Sequence, residues 1–414
     1  MMMKKKLLNT NLLILLLLTA LGGALSSCLK KSDAEIKPSE SLSFEGKNLI
    51  KVLQAESSLQ LFNRAFDRLK LAEMVTNDKG FTIFALSDSA MIAAGLDAQA
   101  VDAMPIDTLR KRITSQITFG AYDDKALTNS TTAIQISTLN GGVQATPSGG
   151  TIFVYAPVYI KEQDGLYFNG VRVSQNGTAI RASNGYLYKV GALASSISTK
   201  TLYDVLLENP DLSMYKDAIT IADSVRFTAL GYDDGTGMIN LLSTMPDQYH
   251  KGMLPTILAP TNKAFHDAGF SNLDELRSLA TKYYVGFDLN TYFSFYYSAL
   301  DSVLQHHVLY HAKIAGSLIP TVRIFYNDLA SPAINNNVSN NYSGFIADPV
   351  SLKFKIPLTF SSVAGNVSVN WTNNPSAAPV PVPKDASSRQ PVNNFVVANG
   401  ALYKIDKLFY PAVK

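Results

Sequence analysis

The chain has 414 residues, of which 47% are hydrophobic and 17% are charged, and its formal net charge is +3. At roughly 150 residues per domain, this length predicts two or three domains. The composition excludes a disordered chain and a collagen-like fibre, and a single Cys excludes an internal disulfide. Residues 1–27 hold three of the 36 basic residues and none of the 33 acidic ones, so the remaining chain is formally neutral. A broad basic surface for nucleic acid is therefore not expected.

Residues 1–27 are typical of a secretory signal peptide. Three lysines, Lys4 to Lys6, precede an apolar stretch at residues 12–21, which is shorter than the roughly 20 residues that span a bilayer. The segment ends in Leu-Ser-Ser before Cys28, which resembles a bacterial lipobox. This resemblance implies cleavage before Cys28 and acylation of its thiol, and several acyl chains anchor firmly because each buried methylene contributes about 0.8 kcal/mol. The alternative is an ordinary secreted protein with an incidental Cys.

Residues 28–45 are predicted to be a flexible tether between the lipid and the folded chain. They are polar, rich in Ser, and lack a periodic apolar pattern. Leu29 follows the Cys, where an inner-membrane lipoprotein would carry an Asp retention signal. We therefore expect an outer-membrane location, on either the periplasmic face or the cell surface.

Four short segments of the first half recur in the same order in the second half. The offset between partners grows from 153 to 174, 191 and 215 residues. The paired segments are 48–53 with 201–206, 82–91 with 256–265, 109–117 with 300–308, and 184–190 with 399–405. This order predicts a tandem duplication, with one domain at 46–197 and the other at 198–414. The growing offset predicts insertions in the second copy near 227–252, 276–297 and 324–392, because surface loops tolerate added length.

The elements of the first copy alternate between helical and strand patterns. Helical spacing of apolar residues predicts a helix near 57–70, and Leu109, Ile113 and Ile117 share a second helical pattern. Thr82 to Ala85 is an apolar run typical of a buried strand, and Ser87 follows it as a helix cap. Further strands are expected at 151–160 and 166–171. Asn-Gly pairs at 184–185 and 399–400 predict hairpin turns before the last strand of each copy. The class is α+β with a largely antiparallel sheet.

Together these segments resemble the fasciclin-like domain, over most of both copies. The family pattern is a TIFA-like strand, a following helix start, a helix that leads to a Tyr-His pair, and a final Asn-Gly strand. The resemblance implies two tandem β-wedge domains of small sheets with helices packed at one side. It also implies adhesion through surface contacts rather than catalysis. The Tyr-His pair matches Tyr310 and His311 in the second copy, whereas Phe119 and Gly120 stand there in the first. In the alternative reading, His311 bonds a loop and Tyr310 fills the core.

No pattern of residues selects a catalytic or metal site. His307 and His311 are four residues apart, as in helical zinc motifs, but no intervening Glu and no third ligand accompany them. We find no phosphate-binding loop, nucleophile elbow or dinucleotide fingerprint. We therefore expect no metal, no cofactor and no enzymatic activity.

Aromatic residues in the second copy are the remaining candidates for binding. Tyr292, Tyr296 and Tyr297 form a dense cluster that either contacts a sugar or protein, or packs an extra helix onto the domain. Trp371 is a binding candidate if exposed and a core residue if buried. The sequence thus favours a lipid-anchored adhesion or interaction protein that contacts a protein or glycan surface. The alternative is a glycan-binding accessory lipoprotein of an outer-membrane uptake system.

Overall fold

The structure describes most of the chain after the predicted tether. The computed structural model covers residues 46–145, 149–175, 177–193, 197–231, 237–245, 254–288, 293–309, 311–314, 317–320, 323–339, 358–371, 377–383 and 394–409. The predicted signal peptide, the tether with Cys28, Tyr292 and Tyr310 all lie outside these residues. In the described part, no helix is both long and apolar enough to cross a membrane.

Short helices, several of them begun by a capping side chain, cover the sheet of the first copy. They are Leu49–Ala55 (α1), Gln60–Arg68 (α2), Asp88–Ala93 (α3), Ala98–Ala103 (α4), Ile106–Thr114 (α5) and Asp124–Thr128 (α6). Ser87 accepts a hydrogen bond from the backbone N–H of Ala90, which confirms the predicted start of α3. The helix predicted near 57–70 is confirmed by α2. The second predicted helix is too long, because α5 ends at Thr114 and Ile117 begins a strand.

One sheet joins all strands of the first copy. They are Phe81–Leu86 (β1), Ile117–Phe119 (β2), Ile134–Ala145 (β3), Thr151–Glu162 (β4), Leu166–Phe168 (β5), Val171–Ser174 (β6), Ile180–Ala182 (β7) and Gly185–Val190 (β8). Their order is β6-β5-β4-β3-β2-β1-β8-β7, and β1 runs parallel to β8. Every residue of β1 is buried, as a strand covered on both faces requires. The strand expected at 166–171 is confirmed at 166–168, but Asn169 and Gly170 adopt positive φ and form a turn, so Val171 begins a separate strand.

The second copy contains the same kinds of elements with additions. Its helices are Leu202–Glu208 (α7), Ser213–Leu230 (α8), Met238–Ser243 (α9), Asn262–Asp267 (α10), Leu273–Ala280 (α11), Ala299–Gln305 (α12), Tyr326–Leu329 (α13) and Ile334–Asn337 (α14). The first strands are Thr256–Pro260 (β9), Tyr283–Asp288 (β10), Phe293–Ser298 (β11), Val308–Leu309 (β12), His311–Ile314 (β13) and Ser317–Pro320 (β14). The remaining strands are Val338–Ser339 (β15), Leu358–Val363 (β16), Asn366–Trp371 (β17), Val380–Pro381 (β18), Asn394–Val397 (β19) and Gly400–Ile405 (β20).

The central sheet of the first copy recurs in the second. The order β12-β9-β20-β19 repeats the order β2-β1-β8-β7, and β9 runs parallel to β20 as β1 does to β8. Ile257 packs into an apolar cluster on one face of this sheet and Leu258 into a cluster on the other. The predicted α+β class with two copies of one fold is therefore confirmed, with a parallel pair at the centre of each sheet.

A turn Asn closes each copy in the same way. Asn184 accepts a hydrogen bond at Oδ1 from the backbone N–H of Leu49 at 2.8 Å, and Asn399 accepts one from Leu202 at 2.8 Å. The amide nitrogen of each Asn donates to a backbone carbonyl ahead of the central strand. The predicted hairpin turns are thus confirmed, and their Asn side chains also fix the first helix of each copy.

Equivalent hydrogen bonds also locate the additions in the second copy. The backbone N–H of Tyr122 donates to Thr82 Oγ1 at 2.9 Å, and that of Ile324 donates to Thr256 Oγ1 at 2.9 Å. Tyr122 and Ile324 are offset by 202 residues, which lies between the 191 of β2 with β12 and the 215 of the closing strands. The sequence analysis placed all of the length added between the offsets 191 and 215 at residues 324–392. The structure shows that part of this added length lies earlier, around β13 and β14.

Two other additions are a longer helix and a hairpin. Helix α8 has 18 residues, whereas its counterpart α2 has nine. The segment from Tyr283 to Ser298 forms the antiparallel pair β10–β11. The alternative of an extra helix for the aromatic cluster at 292–297 is therefore wrong.

Candidate interaction surface

The aromatic hairpin of the second copy turns one predicted binding residue inward. Tyr296 is 5% exposed, and its ring centre lies 5.5 Å from the Arg226 guanidinium carbon and 5.4 Å from the Tyr283 ring. Burial raises the pKa of Tyr296 to about 12. Tyr297 is the next residue of the same strand, and Tyr292 lies outside the described residues. Tyr296 therefore packs the hairpin against the domain.

Trp371 lies at the end of β17, half-buried. Its ring stands edge-on to Phe409 with a centroid distance of 6.3 Å. It also packs against the apolar cluster that contains Phe360 and Val369. The sequence analysis treats Trp371 as a core residue if it is buried and as a binding candidate if it is exposed. Its half-buried position therefore favours a core role over an exposed stacking platform.

His307 and His311 do not share a helix face, because α12 ends at Gln305 and His311 belongs to β13. His307 is fully buried, with Nδ1 2.7 Å from the carbonyl oxygen of Leu258 and Nε2 accepting from the backbone N–H of Phe409 at 3.0 Å. These contacts fix the tautomer with hydrogen on Nδ1, and burial lowers the pKa of His307 to about 3. Both ring nitrogens are thus engaged. No group of three or more His, Cys, Asp or Glu that suits a metal ion occurs among the described residues.

A buried ion pair joins the two copies. Lys161 Nζ of β4 lies 3.2 Å from Asp328 Oδ1 of α13, and the two side chains are 3% and 0% exposed. Lys161 also donates to the carbonyl of Thr131 at 2.6 Å. Asp328 accepts from the backbone N–H groups of Ala133 at 3.2 Å and Phe325 at 3.0 Å. Each charge is both paired and hydrogen-bonded, which is what an apolar interior requires of it.

Arg323 provides a second contact between the copies. Its Nη2 donates to two carbonyls of the turn between β19 and β20, each at 2.7 Å, and its guanidinium carbon lies 4.6 Å from the ring centre of Tyr159 in the first copy. Phe325 packs so closely on Gly170 that a Cβ there would lie 2.6 Å from its ring. These contacts and the ion pair hold the two copies as one body, and residues 42–414 form a single compact unit.

The two long strands of the first copy extend beyond the rest of its sheet. Strand β2 pairs with β3 at Thr138, and β5 pairs with β4 from Ile160 onward. We refer to the parts beyond these contacts, 139–145 of β3 and 151–157 of β4, as the arm, in which 141–145 pair with 151–155 and Pro157 lies opposite Ser137. Within the described part of the chain, no other strand pairs with the outer edges of the arm.

One face of the arm is apolar and open to solvent. Val143, Phe153 and Tyr155 are 68%, 58% and 41% exposed. The register places Val143 opposite Phe153 and Gly141 opposite Tyr155, so these residues share a face. The Phe153 ring lies over Gly141, where a Cβ would come within 2.5 Å of it. Ile152, 37% exposed, belongs to the other face. Both faces of the arm therefore present apolar side chains.

The arm also lacks charge. Residues 126–160 contain no Asp, Glu, Lys or Arg. Exposed strand edges are usually protected by charged side chains, by proline or by bulges, since free N–H and C=O groups attract other strands. A bulge between Ser137 and Gly141 and the proline at Pro157 lie at the base of the arm, and its outer part has no charged side chain. Such a surface is suited to contact with another molecule.

Two acidic residues, Asp124 and Glu162, lie near the inner end of β4, within the domain. The Tyr188 hydroxyl donates to Asp124 Oδ1 at 2.9 Å. Partial burial, together with the charge of Asp124, raises the pKa of Glu162 to about 7. Among the described residues, Glu162 Oε2 has no hydrogen-bond partner. This group therefore changes charge near neutral pH.

Sequence reasoning missed the arm and the contact between the copies formed by Lys161 with Asp328 and Arg323 with Tyr159, which we call the junction, although signals for both were present. Lys161 and Arg323 are single charges inside apolar runs, VYIK and VRIF, which is typical of a buried charge that has a partner. The arm was signalled by the absence of charge from 126 to 160. The sequence pointed instead to aromatic residues of the second copy, of which Tyr296 and Trp371 pack inward.

No protein-family model matches this chain, and no curated protein matches it. Among solved structures, one similar chain is a FAS1 domain pair from the insect cell adhesion molecule Fasciclin I. It is 14% identical, the match covers 86% of this chain and 97% of that one, and the TM-score is 0.30. That score is too low to establish a common fold, so the repeated architecture rests on the equivalent bonds within the chain itself.

Proposed function

We propose that this protein is a lipid-anchored component of the cell envelope that acts by surface contacts and not by catalysis. The arm is the observation that carries this proposal. It presents Val143, Phe153 and Tyr155 to solvent on a segment with no charge. The junction at Lys161 and Asp328 connects β4, the strand that continues from the arm into the domain, to the second copy.

The sequence before residue 46 supports the anchoring part of the proposal. Cys28 follows a lipobox-like tripeptide, and a polar segment of 17 residues separates it from the folded chain. We infer acylation of Cys28 from this arrangement, and an outer-membrane location from Leu29, which stands where an inner-membrane lipoprotein would carry an Asp retention signal.

The glycan-binding alternative has less support from the described residues. Glycan binding requires an exposed aromatic ring on which a sugar can stack, and the candidates are Trp371 and the cluster at 292–297. Trp371 is half-buried against Phe409, and Tyr296 is 5% exposed beneath Arg226. Both rings therefore pack against other residues of the second copy.

Two measurements test the proposal. Cells that express the chain should incorporate labelled palmitate into it, and Cys28→Ser should abolish the label. Purified chain should bind intact envelopes, and replacing Val143 and Phe153 by Ser should reduce this binding at least tenfold while the circular dichroism spectrum stays unchanged. Unlabelled wild-type protein would contradict the anchoring. Binding that is unaffected by the two Ser substitutions would contradict the role of the arm.

A further inference from the structure

We propose that the outer edge of β4 in the arm pairs with the same edge of a second copy of this chain, across a two-fold axis at Val154. The proposal rests on the contact role inferred for the arm and names its partner. Among the described residues, the only strand that pairs with 151–157 of β4 is β3, so the other edge of this stretch is free. The other side carries backbone N–H and C=O groups that a strand can satisfy.

A strand fits this edge better than a lipid surface or a sugar does. Hydrocarbon cannot accept or donate hydrogen bonds, so an unpaired strand edge is costly in a bilayer. A sugar stacks on an open ring face, but Phe153 lies over Gly141 on one side and meets Tyr155 edge-to-face at 5.1 Å. A neighbouring strand, by contrast, satisfies the edge and packs against both rings.

The sequence of the edge makes it complementary to itself. An antiparallel pair with its axis at Val154 sets Phe153 of each copy opposite Tyr155 of the other, so an aromatic pair occurs twice. Directly opposed aromatic residues stabilise antiparallel pairs. Because residues 126–160 contain no charged side chain, self-pairing brings no like charges together. The chain after residue 27 is formally neutral, so its net charge adds no general repulsion between two copies.

The limits of the pairing are also set by the sequence. Pro157 lacks a backbone N–H, and proline in sheets is found on edge strands and at strand ends. It therefore marks the inner end of the paired segment. The other edge of the arm is less suitable, because β3 contains a bulge before Gly141 and two adjacent glycines, Gly141 and Gly142. Glycines and bulges both weaken strand pairing.

Cross-linking of the mature chain, residues 28–414, tests both the contact between two copies and the register of the paired strands. Cys28→Ser removes the only thiol, and Val154→Cys then places one thiol on the proposed axis. Directly opposed residues have Cα atoms about 5 Å apart, within the range that a disulfide spans. Mild oxidation should convert most of this variant to a dimer. The matched controls Phe153→Cys, one residue out of register, and Val363→Cys, 77% exposed in the second copy, should cross-link several-fold less. Equal cross-linking of all three would overturn the proposal.

Charge substitutions provide a second readout that does not depend on oxidation. In sedimentation experiments, Val154→Lys and Val154→Glu should each raise the dissociation constant of the dimer about tenfold, because like charges then meet on the axis. An equal mixture of the two variants should restore the dimer, and Val363→Lys should leave it unchanged. Wild-type protein that stays monomeric at about 100 μM, or a mixture that fails to recover, would overturn the self-pairing. If the monomer still binds envelopes through the arm, the contact role stands without it.

Discussion

The two copies share one fold but differ in how they treat an equivalent buried position. The backbone carbonyl of Gln116 accepts a hydrogen bond of 2.8 Å from an N–H group of the central strand β1. The backbone carbonyl of His307 accepts one of 2.9 Å from the central strand β9. His307 has both ring nitrogens bonded, whereas both polar side-chain atoms of Gln116 are buried without a partner. The backbone bonds that define the fold were retained in both copies, while the side chains beneath them diverged. At this position, among the described residues, the first copy leaves two buried polar atoms unpaired, whereas the second pairs both ring nitrogens.

The copies also differ in their response to pH. The first contains Glu162, whose pKa is raised to about 7, and the second contains His307, whose pKa is lowered to about 3. Both groups prefer to be neutral because burial disfavours charge. Glu162 therefore destabilises the fold as pH rises, and His307 destabilises it as pH falls. Because the junction joins the two copies, we expect both pH effects on stability in the unfolding of one unit.

Breaking the junction should have the largest effect on stability. Asp328→Ala leaves the ammonium group of Lys161 buried without its partner, and the free energy of unfolding should fall by about 3–5 kcal/mol. Urea denaturation measures this loss. The matched control is Asp102→Ala, which removes the half-exposed partner of Arg64 and should leave stability almost unchanged. Replacing Lys161 by Met together with Asp328 by Leu should recover only part of the loss, because the buried backbone N–H groups of Ala133 and Phe325 then lack their acceptor. Equal effects of the two Asp→Ala variants would show that the copies are not held by this pair.

The turn glycines allow the two copies to be compared directly. A Cβ on Gly185 would lie 1.8 Å from the carbonyl oxygen of Phe81, and one on Gly400 would lie 2.3 Å from that of Pro255. Gly185 also has a φ of +147°, which other residues rarely adopt. Gly185→Ala should therefore cost about 3 kcal/mol, and Gly400→Ala somewhat less. Thermal unfolding measures both, with Gly142→Ala as a control because nothing lies within 4 Å of its Cβ position. A larger cost at Gly400 would contradict this ranking.

The acid response of the second copy should depend on His307. Unfolded His binds a proton below about pH 6.5, but folded His307 does so only near pH 3, so stability is lost as pH falls through this window. Between pH 7 and pH 5 the loss should be about 2 kcal/mol. His307→Gln, which introduces the residue of the first copy, should remove this loss while it lowers stability at pH 7. Parallel pH profiles of the variant and the wild type would exclude His307 as the cause.

Glu162 should produce a smaller effect of opposite sign. The unfolded side chain ionises near pH 4.5, whereas the folded one ionises near pH 7, so its stabilising contribution is complete below pH 4.5 and is lost as pH rises through 7. Because the side chain is partly exposed, the loss should be about 1 kcal/mol. Glu162→Gln should abolish this dependence and raise stability at pH 8. Comparing urea midpoints at pH 5 and pH 8 tests this, with Glu56→Gln as a surface control. An unchanged difference in the variant would assign the dependence to another group.

The sequence by itself determined the elements and their repetition. Apolar periodicity gave α2, an unbroken apolar run gave β1, and the cap at Ser87 marked where α3 begins. These features depend on residues close together in the chain, so they can be read locally. The Asn-Gly pairs also predicted hairpin turns locally, although of Asn184, Gly185, Asn399 and Gly400 only Gly185 adopts a positive φ. The matching order of segments was enough to predict two copies of one α+β fold.

Only the tertiary structure decided which polar and aromatic side chains face solvent. Asp328 bonds the N–H of Ala133, 195 residues earlier in the chain, and no local pattern specifies such a contact. Tyr296 and Trp371 pack inward because neighbouring elements cover them, whereas Phe153 stays exposed because β3 and β4 extend past the rest of the sheet. Composition states that these residues are aromatic, but their exposure depends on how far each strand is paired, and that is a property of the assembled sheet.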